Sequence, residues 1–138
     1  MTPQQVQTVK RSWHVFQSID PELVGDVFYS KLFLSEPRLQ HLFITSKEDQ
    51  SRKLIEMLNL IVGRLDRLDE LTRDIKSLAM RHVKYGVQPS HYRAVGTALL
   101  WTLKQGFGQD WDDEVSDAWT HCYELLSRTM IEASGYTT

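Results

Sequence analysis

The sequence predicts an all-α fold of about seven helices, and three observations carry that expectation. Apolar residues recur at three- and four-residue steps along most of the chain. Helix-start and helix-stop residues punctuate those stripes at intervals that suit helices of ordinary length. No run alternates apolar and polar residues between turn signals, so no strand is expected, and no internal repeat or low-complexity tract is found.

Each element has its own justification. Val6, Val9, Trp13 and Phe16 form the stripe of a first helix. Thr2, Pro3 and Gln5 open it as N-cap, first-turn proline and capping-box partner. Asp20 and Pro21 repeat the start signal for a second helix, expected to run to about Leu34. Ser35 to Phe43 reads as a short helical segment begun around Pro37, and Ile44 to Lys47 as a loop. Ser46 caps a long helix through about Leu65, with Leu54, Met57, Leu58, Ile61 and Leu65 inward. The next runs from about Leu68 to Tyr85, with Leu71, Ile75, Leu78 and Ala79 inward, and Gly86 stops it. Pro89 opens a helix whose apolar face holds Tyr92, Val95, Leu99 and Leu103, and Gly106 and Gly108 break the chain after it. Asp110, Asp112, Asp113 and Glu114 place negative charge at the positive end of a last helix. Val115, Ala118, Trp119, Cys122, Leu125, Leu126 and Met130 form its stripe, and Gly135 to Thr138 are expected to fray.

Size and composition narrow the function. The 138 residues fit one domain, 1–138, and leave no room for a catalytic domain beside a separate cofactor domain. A formal net charge of −2 gives no electrostatic reason to expect nucleic acid or an anionic membrane as partner. No apolar run approaches the roughly 20 residues of a membrane span, and no signal sequence is read, so a soluble cytoplasmic chain is expected. Cys122 is the only cysteine, which excludes an intrachain disulfide and a cysteine-based zinc site. Gly106-Phe107-Gly108 lacks the preceding strand and third glycine of a dinucleotide loop. His121 and Cys122 point about 100° apart on a helix and cannot chelate one metal together. The carboxylates sit mostly at helix starts and exposed positions, which leaves a paired acid/base site without support.

Among the five histidines one stands apart. His14 and His121 flank apolar stripes, and His41 and His91 lie near helix starts or loops, all expected at the surface. His82 lies three residues after Ala79, four after Leu78 and seven after Ile75, on the inward stripe. A satisfied core histidine is one reading. An axial haem ligand is the other, because porphyrin supplies the remaining four equatorial ligands and a single imidazole suffices. Tyr29 shares a helix face with Gly25 and Phe33, so its hydroxyl is expected inward, where it needs a hydrogen-bond partner or a ligand that serves as one. Gln50 falls one turn before Leu54 on the inward side of the long helix, and Phe43 ends the short segment. Ordinary packing, first-turn exposure and loop anchoring remain open for these three.

Taken in order, these residues resemble the bacterial single-domain globins and the globin domain of flavohaemoglobins. The resemblance runs from about Thr2 to Ile131. Its strongest piece is the stretch from Arg81-His82-Val83-Lys84-Tyr85-Gly86 through Pro89 and Tyr92 to Gly96. Val27-Phe28-Tyr29, the Pro37 to Phe43 segment, Asp49-Gln50 leading to Lys53-Leu54, and Ala118-Trp119 followed by Tyr123 add to it.

The resemblance implies a globin fold around a haem pocket, with haem b as the iron cofactor. His82 would ligate the iron through Nε2 while a backbone carbonyl holds its other ring nitrogen. Phe43 would pack on the porphyrin, Tyr29 and Gln50 would be distal donors, Leu54 would wall the distal side, and Tyr92 would sit on the proximal side. Gly25 fits a close helix crossing against Ser51. A phenol and an amide in an apolar cavity favour oxygen, which takes on superoxide-like charge at ferrous haem, over carbon monoxide. One departure stands out: the family's acidic partner of the proximal histidine is matched here by Ser134, with Glu132 nearby, so strong peroxidase-like electron push is not expected.

The implied function is reversible oxygen binding for storage, delivery or transport, or nitric oxide dioxygenation. The second would make the chain an enzyme only with electrons from a separate reductase, since no flavin or nicotinamide site is read here. A haem-based gas or redox sensor acting through a partner protein is the alternative, and a cofactor-free helical interaction domain is the third. A homodimer through the last two helices is left open.

Overall fold

Thr2 begins the fold as the sequence predicts. The computed structural model describes residues 1–43, 46–84 and 87–133. The Thr2 side chain accepts from the Gln5 amide while Gln5 reaches back to the Thr2 N–H, a complete capping box ahead of α1 (Pro3–Gln17). Asp20 caps α2 (Pro21–Ser35), and a 3-10 helix follows over Pro37–Leu42. Then come α3 (Lys47–Gly63), α4 (Leu68–Lys84), α5 (Pro89–Phe107) and α6 (Asp113–Ala133), with a short 3-10 turn over Gly108–Asp110. There is no strand among the described residues. The six α-helices and the 3-10 helix at Pro37 are the seven expected helices.

Boundaries shift where local chemistry decides them. Lys47 is the first residue of α3 and not part of a loop, because the Ser46 side chain accepts from Asp49 N–H. The helix ends at Gly63, two residues short of Leu65, since the Arg64 N–H turns to the Ile61 and Val62 carbonyls. Gly106 does not break the chain: it stays within α5, and the stop falls at Gly108, whose φ of 56° suits a residue without a side chain. The last helix starts at Asp113 behind Asp112, whose carboxylate accepts from Val115 N–H. The expected stop at Gly86, the residues Tyr85, Ile44 and Thr45, and the tail from Gly135 lie outside the described residues.

α1 is clamped between two neighbours. Trp119 of α6 donates to Ser12 Oγ at 2.9 Å, and Trp13 donates to Asn59 Oδ1 of α3 at 2.7 Å. An aromatic series continues from Trp13 through Phe16 and Phe107 to Trp111. α2 packs across α3 and α5, while α4 lies against α6. Arg64 at the end of α3 pairs with Asp74 of α4, which ties the connection between those helices. Val9, Leu32, Ala79 and Leu103 are wholly buried at the centre.

Candidate functional site

The first turn of α3 meets the middle of α2 because Gly25 lets it. Were Gly25 to carry a Cβ, that atom would collide with Ser51 Oγ. The close crossing expected at Gly25 is therefore present, and it sets Gln50 over Tyr29. Ser51 itself is 1% exposed, and its hydroxyl finds no partner among the described residues.

Tyr29 is buried, and its hydroxyl donates to the backbone carbonyl of Gln50 at 3.2 Å. Burial pushes the phenol's pKa well above the ordinary value of 10.0, so it is a protonated donor throughout the neutral range. Its ring stacks on Phe33 and meets the edges of Phe28 and Phe43, with centroids 4.9–5.8 Å apart. Phe33 and Phe43 in turn meet edge to face at 5.4 Å. These contacts make an aromatic wall out of two elements, α2 and the residue that ends the 3-10 helix.

A cleft of about 550 Å³ opens beside that wall. Tyr29, Phe33 and Leu34 of α2, Gln40 and Phe43 at the 3-10 helix, and Lys47 and Gln50 of α3 surround it. Three residues named from the sequence, Tyr29, Phe43 and Gln50, thus share one cleft. Sequence reasoning missed Leu34, Gln40 and Lys47 as lining. Phe33 was visible at four residues from Tyr29; the others face the cleft only because the 3-10 helix folds back on α2.

His82, Leu54 and Tyr92 do not line this cleft. His82 is half-buried on α4, and its Nδ1 lies 2.8 Å from the Leu78 carbonyl oxygen. A carbonyl can only accept, so Nδ1 carries the proton and Nε2 the lone pair of the neutral ring. Burial lowers the His82 pKa, which favours that neutral form, although the Leu78 bond pulls the other way. Leu54 is buried one turn beyond Gln50. Tyr92 is buried at the start of α5, and its backbone carbonyl accepts from the Tyr123 hydroxyl at 2.5 Å.

The other histidines fall as their positions imply, with one refinement. His14, His41 and His121 are exposed. His91 is half-buried and not open to solvent as expected, because its Nδ1 accepts from Gln88 N–H at 2.9 Å and caps α5. Glu132 is exposed, and Ser134 lies outside the described residues. No group of three or more His, Cys, Asp or Glu side chains that could hold a metal ion occurs among the described residues. No described helix is long and apolar enough to cross a membrane.

Fold and site together define an all-helical domain with a half-buried imidazole on α4 and an aromatic, phenol-bearing cleft. Comparison with known proteins names the family. The globin family model matches residues 26–130, three quarters of the chain, so the chain belongs to the globin family. It is 28% identical to a flavohemoprotein of Vibrio cholerae over 138 residues, spanning 98% of this chain but 35% of that protein. A globin-like protein of Aquifex aeolicus is 33% identical over 103 residues, covering 75% of this chain and 73% of its own length. The chain thus spans about a third of the Vibrio flavohemoprotein it matches.

Solved structures agree in fold. An engineered carbene transferase from Rhodothermus marinus superposes with a TM-score of 0.86 at 24% identity, over 98% of this chain and 94% of its own. A bacterial globin from Campylobacter jejuni gives 0.81 at 23%, over 97% and 96%.

Proposed function

We propose that this globin binds haem b through His82 Nε2 and takes up oxygen reversibly on the side of Tyr29 and Gln50. The observation that carries this reading is the bond between His82 Nδ1 and the Leu78 carbonyl. It holds the ring in the tautomer a metal needs and presents Nε2 as the donor atom. The donor set fits the group: porphyrin needs one axial imidazole from the protein, and α4 offers one inward histidine.

When bound, haem supplies a ferrous iron that can take a diatomic gas. The chain's own residues set the terms of that binding. Tyr29 offers a buried phenol proton, and Gln50 offers an amide one turn before Leu54, so a ligand that draws negative charge gains most. Phe43 adds its ring to the wall beside Tyr29, and Leu54 is buried one turn beyond Gln50. Burial lowers the His82 pKa, the direction that favours the neutral ring a metal ligand needs.

The physiological task on this reading is oxygen storage and delivery in the cytoplasm, or nitric oxide dioxygenation with a separate reductase that returns the iron to the ferrous state. The similarity to flavohemoproteins supports the second. Nitric oxide consumption, measured with and without an added flavin reductase and reduced nicotinamide, separates the two. Sustained consumption only with the reductase supports dioxygenation, and none in either case supports storage. An absorption spectrum of the purified chain tests the haem itself: a Soret band is expected, and its absence after haemin titration refutes the reading.

A further inference from the structure

The four tryptophans of the chain divide by burial. Trp13 and Trp119 lie in the core and Trp111 stacks on Phe107, whereas Trp101 on α5 is 38% exposed. Indole carries a large apolar surface, so leaving it open to water forgoes stabilisation that burial would bring. The surroundings of Trp101 are cationic. Lys31 of α2 sets its ammonium 5.1 Å from the centre of the indole ring. Arg93, Thr97, Trp101 and Lys104 follow one another at four-, four- and three-residue steps, hence on one side of α5, and all are exposed. The 19 residues of α5 include no Asp or Glu. Lys31, Arg93 and Lys104 take part in no ion pair among the described residues. This local excess of positive charge stands on a chain whose formal net charge is −2.

The chemistry of the patch narrows its occupant. From Arg93 to Lys104 it covers about 16 Å of helix. Lys31, Arg93 and Lys104 are too few for nucleic acid, where a binding face neutralises on the order of 6–10 phosphates. A helix that lies in a membrane presents a broad apolar side, and here Trp101 stands among polar neighbours. A second copy of the chain is a poor fit as well. Its carboxylates at the start of α6 are engaged at home: Asp112 caps Val115, and Glu114 accepts from Thr8 and pairs with Arg11. Joining that end of one copy to α5 of the next is also a head-to-tail contact, which does not close into a dimer. An acidic face of another protein meets the charge and the apolar anchor together.

We infer that the outer side of α5, together with Lys31, docks a protein that presents clustered carboxylates around an apolar recess. Trp101 enters the recess, and Arg93, Lys104 and Lys31 face the carboxylates. Trp and Arg are among the residue types that most often carry binding energy at protein interfaces. A patch this narrow makes a small, salt-sensitive contact of the transient kind. The inference stands apart from the haem reading, since it uses no residue assigned to the cofactor or its ligand.

The test is fluorescence anisotropy of a labelled peptide of glutamates around a central leucine, titrated with the full chain at low salt. Binding is expected, and it should weaken as salt rises. Trp101→Ala and Lys104→Glu should each weaken it about tenfold or more with unchanged helical circular dichroism. Lys76→Glu, the same change of charge at an exposed residue of α4, should leave the affinity as it was. No binding by the native chain, or equal weakening in all three variants, overturns the inference. So does tighter binding to duplex DNA or to phosphatidylglycerol vesicles at the same salt, or self-association of the chain that Trp101→Ala abolishes.

Discussion

The Tyr29 hydroxyl donates to the Gln50 backbone carbonyl across 3.2 Å, so a hydrogen bond ties α2 to the first turn of α3 beside the cleft. A phenol owns one proton. On the proposed reading, a Tyr29 that turned its proton to a ligand would release Gln50, and the first turn of α3 would lose that tie. Ligand stabilisation and helix anchoring would then compete for the same hydrogen.

Tyr29→Phe should raise the oxygen dissociation rate about tenfold or more, the effect of losing one hydrogen bond to a partly charged partner. The native rate should stay flat with pH up to and beyond 10.0, the ordinary phenol value, because burial holds the proton on Tyr29. Stopped-flow measurement across neutral and alkaline pH checks both. A rate that climbs well below that pH would mean an ionising phenol and a wetter site.

Gly25→Ala should destabilise the fold by about 2 kcal/mol or more, since the added methyl meets Ser51 and forces α2 and α3 apart. Ser51→Ala should act in the opposite direction. It removes a buried hydroxyl that lacks a described partner, a group whose burial costs about 1–3 kcal/mol. Urea unfolding of the two single variants reads the signs. In the double variant two methyl groups still face each other across the helix crossing, so only part of the loss should be recovered.

Cys122 should be silent towards thiol reagents in the folded chain. It is buried in the α6 stripe, and burial pushes its thiol up to about 12, so little thiolate forms at neutral pH. Labelling should rise with denaturant along the same curve as loss of helical circular dichroism. Fast labelling of the native protein would show that α6 opens locally.

Much of this molecule is legible in its sequence. The stripes of α1, α4 and α6 each have one apolar side, and Val9, Leu71, Ile75 and Trp119 are buried where periodicity puts them. Thr2, Asp20 and Ser46 mark helix starts because a side-chain oxygen beside unpaired N–H groups has one obvious use. Gly106 misleads because its reason is tertiary: a side chain there would meet the Phe16 ring, a contact that no local pattern announces. The same holds for the cleft. Tyr29 and Phe33 share a face that spacing reveals, but Leu34, Gln40 and Lys47 meet only after the chain turns back at Pro37.

The central claim is that His82 Nε2 is the atom that holds the cofactor, and haemin titration of the native chain beside His82→Gly tests it most directly. The native chain should develop a sharp Soret band at one equivalent, and His82→Gly should lose that band and regain it when free imidazole is added. A His82→Gly variant that keeps the native spectrum without imidazole would contradict the account.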